Sequence, residues 1–225
     1  MAAVGLKICG VVDPADAALC RAHGVTALGL NFWPGSRRCI TVEQGCAVAD
    51  AIADTVAEEA AAPRLVGVFV DEAPATVASV AARVGLDAIQ PHGDADPAQY
   101  AALGLPWIWV VRTRIDPNDL VVPDPAPEWV LVDAPTPHYG GQGVRADWGW
   151  ARDVVRALAP LPVWLAGGLR PDNAAQAIAA VGPAGLDIAS GAERTGAGAP
   201  RKDPLAVAAL ASICAAHEIG YNGTQ

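Results

Sequence analysis

Lysine is nearly missing from this 225-residue chain: Lys7 and Lys202 are the only two. Any Schiff-base mechanism would therefore have only these two amines to draw on, and Lys7 is the candidate. Cationic residues are scarce in general, and the net charge of −9 excludes the broad phosphate-neutralising surface that nucleic-acid binding requires. An anionic small molecule could still be held at a local positive site. No stretch of about 18 apolar residues occurs, and the N-terminus shows no basic segment followed by an apolar run and a cleavage site. Both absences predict a soluble, cytoplasmic protein with no membrane partner. Cys9, Cys20, Cys39, Cys46 and Cys214 form neither an even framework nor a CxxC pair, so disulfides and a structural zinc are not expected. Reduced thiols are the default, and any one of them could be reactive. His23, His138 and His217 show no metal-ligand spacing.

Apolar material is abundant, with 52% hydrophobic against 17% charged residues. Apolar runs at 6–9, 27–32, 65–70, 88–90, 107–111, 129–133, 163–166 and 186–189 make eight candidate strands. Between them, Val77, Val80, Ala81 and Val84 keep helical spacing, as do Ala151, Val154, Val155 and Leu158, and Ala174, Ala177, Ile178 and Val181. Residues 41–62 are alanine-rich and also read as helix. Strands that are continuously apolar, alternating with helices, imply a parallel sheet covered by helices. Eight repeats in a chain of this length predict one domain over 1–225, an α/β fold closed as a (β/α)8 TIM barrel. The fifth helix is expected to be degenerate, because Pro117, Pro123, Pro125 and Pro127 crowd the connection.

Such barrels place chemistry at the C-terminal ends of their strands. Here those ends carry Cys9, then Asn31 and Phe32, Gln90 and His92, Arg112, Asp133, Gly167-Gly168 and Ser190-Gly191. Asp133 leads into a glycine-rich loop containing Gly140, Gly141 and Gly143, which is a way to present a carboxylate over a substrate. The glycines of the last two strand ends suit a phosphate cradle, with the helix beginning near Pro171 adding its positive end. The competing explanation is that they only make tight turns. Lys7 shares a strand face with Cys9 and points into the barrel; Asp187, on the neighbouring strand, is its expected ion-pair partner. Trp107, Trp109 and Trp129 are expected to pack between barrel and helices, and Trp33 is placed to flank an aromatic ring.

These motifs resemble the phosphoribosylanthranilate isomerase family over nearly the whole chain. Residues 7–10 (KICG), 29–40 (GLNFWPGSRRCI), 66–72 (VGVFVDE), 87–93, 133–148 (DAPTPHYGGQGVRADW), 166–169, 189–193 and Lys202-Asp203 follow the family's order. The resemblance implies a barrel of the ribulose-phosphate-binding type and an Amadori rearrangement of N-(5-phosphoribosyl)anthranilate to 1-(2-carboxyphenylamino)-1-deoxyribulose 5-phosphate. It implies no metal or redox cofactor, a small-molecule phosphoribosyl substrate, and a monomer or homodimer.

Position by position, the resemblance makes Asp133 the general acid and Cys9 the general base. Arg38 becomes the clamp for the anthranilate carboxylate, a group that a guanidinium fork suits. Gly167, Gly168, Ser190 and Gly191 hold the phosphate; Asn31, Gln90, His92 and Gly141 complete the substrate-contact set. His92 either touches substrate or anchors the loop after Gln90. Arg37 is expected to be solvated. With reference pKa values of about 3.9 for Asp and about 8.5 for Cys, Asp133 would have to be raised and Cys9 lowered. Pro91 stands where the family usually has Leu and Ala189 where it has Ser, removing a backbone donor and a hydroxyl. Two other readings are another ribose-phosphate isomerase or lyase of the same barrel group, and a non-catalytic sugar-phosphate-binding protein.

Overall fold

A computed structural model describes residues 3–53, 61–134, 146–196, 198, 200–217 and 219. Its eight parallel strands are β1 Gly5–Cys9, β2 Ala27–Asn31, β3 Arg64–Phe69, β4 Ala88–Pro91, β5 Ile108–Val111, β6 Trp129–Val132, β7 Val163–Leu165 and β8 Gly185–Ile188. They run in the order β4-β3-β2-β1-β8-β7-β6-β5, and a parallel bridge between Ile89 and Trp107 joins the two ends into a barrel. The helices are α1 Pro14–Ala22, α2 Val42–Ala53, α3 Pro74–Val84, α4 Ala98–Ala101, α5 Trp148–Ala157, α6 Ala174–Val181 and α7 Pro204–Ala215. None of the described helices is long and apolar enough to cross a membrane.

Local chemistry sets several of these boundaries. Asp13, Asp147 and Asp203 accept from backbone N–H groups at the starts of α1, α5 and α7, donors that have no partner inside a helix. The proline-rich fifth connection holds one 3-10 turn, Pro117–Asp119, as its composition predicts. The fourth helix is equally cut down, to the four residues of α4. Pro91 explains why the seam lies between β4 and β5. Ile89 donates to Pro106 on the β5 side, and His92 donates to Phe69 on the β3 side. By alternation, Pro91 faces β5 and has no N–H with which to continue the ladder.

The core has two parts. Leu6, Ile8, Leu28, Leu30, Val130, Val132, Leu165, Leu186 and Ile188 point outward into one cluster with the helices. A smaller cluster of Ala27, Val66, Ala88, Ile108, Trp129, Leu131 and Ala166 forms separately, on the opposite, inward phase of the strands. Trp107 packs outward as expected. Trp129 does not: it stacks on Trp164 at 5.2 Å in the inward cluster, and Gly5 and Gly185 leave room for the Trp164 ring. The reason is phase, since Trp129 lies four residues before Asp133 on the face that Asp133 must share to reach the mouth. The same inward phase carries Lys7 and Cys9 on β1, Gln90 on β4 and Asp187 on β8.

Candidate active site

Strand order separates the ends of β1 and β6 by three places around the ring. Cys9 closes β1 and is partly exposed. Its partner in register on β2 is Gly29, where a Cβ would lie 2.7 Å from the Cys9 sulfur; only glycine leaves the thiol its place. Burial pushes the Cys9 thiol up, against the pull of Lys7. Asp187 pushes it further, while Lys202 and Arg38 pull it down. The expected lowering of Cys9 is therefore not found: three cations surround the thiol, yet desolvation outweighs them.

Lys7 and Asp187 pair as their register requires, with Nζ 2.7 Å from Oδ2 and both side chains buried. Burial opposes the Lys7 charge, but Asp187 and Cys9 outweigh it and hold the ammonium above its ordinary range. A lysine kept protonated is no amine nucleophile, so the structural role stands over the Schiff-base one. Lys7→Met is expected to strand the Asp187 carboxylate and cost about 3–5 kcal/mol, read as a lower urea midpoint. Adding Asp187→Leu should recover most of that loss.

Beside this pair lies a second charged group whose role the sequence does not reveal. Glu193 accepts from Arg38 through Nε at 2.5 Å and Nη2 at 3.2 Å, also contacts Arg37, and lies 3.3 Å from Lys202 Nζ. Burial resists its ionisation, but Arg38, Lys202 and Arg37 together hold the carboxyl below its usual range. Lys202 is fully buried and donates to the Cys9 carbonyl at 2.7 Å; burial pushes its ammonium down. Glu193 and Lys202 belong to family-like motifs of the sequence, but only the fold, through an antiparallel bridge between them, shows that they sit under Cys9 and Arg38. Arg37 is exposed as expected, though paired.

Arg38 is buried, and its stem crosses Gly10, where a Cβ would meet Arg38 Cδ at 2.1 Å. Gly10 also has φ +70, so both space and backbone demand glycine there. Asp133 donates its backbone N–H to Val111, which extends the β5–β6 ladder one residue past β6. Its Oδ1 accepts from the Ala134 N–H at 2.8 Å, and its Oδ2 lies 3.5 Å from His92 Nε2. Gln90 is buried against His92, with 3.0 Å between Nε2 and Nδ1. Asn31 accepts from the Trp33 N–H through Oδ1, which stabilises the turn out of β2.

At the opposite side, Gly167 and Gly168 have φ +89 and +64, and a Cβ on Gly191 would lie 1.8 Å from the Leu169 carbonyl. The loops after β7 and β8 thus touch, bringing Ser190 and Gly191 beside Gly168. The following helix starts at Ala174 rather than near Pro171. Asn173 explains the delay: its side chain accepts from the Arg170 N–H and donates to the Gly168 carbonyl, holding 170–173 as a turn. Arg112 is engaged by Gly93 and Asp94. Gly141 and His138 lie outside the described residues.

A family model described as N-(5'phosphoribosyl)anthranilate (PRA) isomerase matches residues 6–210. The N-(5'-phosphoribosyl)anthranilate isomerase of Myxococcus xanthus is 39% identical over 199 residues, covering 84% of this chain and 87% of its own. That of Thiobacillus denitrificans is 41% identical over 194 residues, covering 85% and 89%. Among solved structures, the phosphoribosyl anthranilate isomerase of Thermus thermophilus superposes with a TM-score of 0.78 at 31% identity, covering 94% of this chain and 98% of its own. A phosphoribosyl anthranilate isomerase in complex with reduced 1-(o-carboxyphenylamino)-1-deoxyribulose 5-phosphate superposes with a TM-score of 0.72 at 27% identity over the same shares.

Proposed function

Because the chain belongs to the N-(5'-phosphoribosyl)anthranilate isomerase family, we propose that it catalyses the Amadori rearrangement of N-(5-phosphoribosyl)anthranilate to 1-(2-carboxyphenylamino)-1-deoxyribulose 5-phosphate. The observation that carries this reading is the family match itself, which spans both strand ends bearing the acid and the base. Residues 1–225 act as one domain, in the cytoplasm, on a small phosphoribosyl ligand.

Asp133 donates a proton to the furanose ring oxygen, the C1–O bond breaks, and the anilino nitrogen's electron pair forms the iminium. Cys9 then takes the C2 proton, and the electrons of that C–H bond neutralise the iminium to give an enolamine. Ketonisation moves a proton to C1 and leaves the carbonyl at C2. The iminium charge acidifies C2–H and favours a thiolate beside it, the counter to the burial that raises Cys9. The Gly167-Gly168 and Ser190-Gly191 loops take the phosphate. A coupled assay that makes the unstable substrate in place and follows its fluorescence loss tests the whole reading; no turnover above background would end it.

Arg38 takes the anthranilate carboxylate, on a guanidinium that Glu193 already orients. Removing one charged hydrogen-bonding group costs about 1.5–3 kcal/mol, so Arg38→Ala is expected to raise KM roughly 10- to 100-fold. Glu193 keeps Arg37 and Lys202 as partners, so the loss is not one of folding. An unchanged KM would remove Arg38 from the clamp.

A further inference from the structure

His92 has a place in the site but no part in the steps above, and its surroundings say what it does. Its ring is buried between Gln90 and Asp133. Among the described residues, its Nε2 has no hydrogen-bond partner. The nearest charged group is the Asp133 carboxylate, 3.5 Å away, a separation that catalytic hydrogen bonds often show before substrate closes the site. On the other edge of the ring, the Gln90 amide nitrogen lies 3.0 Å from Nδ1. With the NH2 end of the amide towards the ring, Nδ1 offers its lone pair and the single proton of a neutral imidazole sits on Nε2, whereas the amide turned over would place its oxygen on Nδ1–H and reverse the tautomer.

We propose that His92 is a positioning residue for Asp133, fixed by Gln90 in the Nε2-protonated tautomer, and not a group that contacts substrate. The inference rests on the reading of Asp133 as the acid. Gln90 is buried and its amide nitrogen meets the Nδ1 edge of His92, which suits it to hold the ring. The Ala134 N–H holds one oxygen of Asp133 and His92 Nε2 lies 3.5 Å from the other, so a small closure on substrate binding would bring both donors onto the carboxyl and fix its plane and the direction in which its proton leaves. After that proton has gone to the ring oxygen, both donors face the carboxylate that remains. His92 stays neutral throughout; no proton passes through it.

Nitrogen-15 NMR of the full-length protein labelled in histidine reads the tautomer directly, the His92 signals being those lost in His92→Gln. The expected result is a neutral ring with the proton on Nε2, and a ring protonated at Nδ1 in Gln90→Glu, whose carboxylate can only accept. A ring carrying its proton on Nδ1 in the unaltered protein, or both protons at neutral pH, would overturn the proposal. In turnover, His92→Asn is expected to lose about 100-fold in kcat with little change in KM, the scale of a catalytic group misplaced by an ångström. His92→Gln, whose amide nitrogen reaches towards the Nε2 position, should recover most of that loss. Equal losses in the two variants, or a rise in KM alone, would overturn it as well. Should the unaltered protein fail to turn over phosphoribosylanthranilate, the functional reading falls, while the tautomer measurement still decides the Gln90–His92 arrangement.

Discussion

Asp133→Asn is expected to lower kcat by about 10²–10⁴-fold, the span that a positioned general acid contributes, with KM nearly unchanged. The amide matches the carboxyl in shape but has no acidic O–H to give the ring oxygen, so the sugar stays closed and the iminium does not form. Folding should survive. Asp133 is fixed through its backbone by Val111, and among the described ion pairs its side chain holds no lysine or arginine, only the His92 ring lying 3.5 Å away. The contrast with Arg38→Ala is diagnostic: the clamp acts in both ground and transition states and moves KM, whereas the acid acts only as the C1–O bond breaks and moves kcat. The measurement is the coupled fluorescence assay with saturating substrate, alongside a thermal melt. Turnover within tenfold of the unaltered protein would take the acid role from Asp133.

Most of the barrel was legible because each strand is a run of apolar residues closed by a chemically distinct one, and the runs at 6–9, 27–32 and 129–133 match β1, β2 and β6 to within a residue. The degenerate fifth helix was legible for a different reason, since proline acts locally on φ and on the N–H supply. What stayed hidden depends on contacts between distant segments. The truncated α4 has no breaker as obvious as the four prolines of the next connection. The inward placement of Trp129 follows from strand phase, which an unbroken apolar run does not display. The late start of α6 depends on Asn173 reaching back to Arg170 and Gly168.

The site divides along the same line. Cys9 and Asp133 can be named as candidates from strand ends and Arg38 from the family resemblance. Their electrostatic surroundings cannot, because Glu193 and Lys202 are brought beneath Cys9 and Arg38 by the last loop, more than 150 residues along the chain. If Arg38 is the proposed clamp, that group would keep it oriented: its guanidinium already lies on a carboxylate, and Lys202 and Arg37 share the same acid. A charge set of this kind is preorganised, since little reorientation is needed when a second carboxylate arrives.

Cys9→Ala is expected to reduce kcat by a similar factor, about 10²–10⁴-fold, and the pH profile separates loss of a base from loss of packing. A base works deprotonated, so a thiol raised by burial moves its working range to higher pH. The limb of kcat/KM that rises with pH reports the free enzyme, and it should lie above the ordinary thiol range. Lys7 is the strongest of the cations pulling the thiol down, so Lys7→Met should move the limb higher still, in whatever fraction remains folded. Cys9→Ser keeps the volume and a weak hydrogen bond but offers only a far less acidic hydroxyl, and it should be as inactive as the alanine variant. If serine restored turnover, Cys9 would be filling space beside Gly29 and the base would have to be sought elsewhere in the mouth. A rising limb that survives removal of the thiol would likewise take the base role from Cys9, because the titration would then belong to another group.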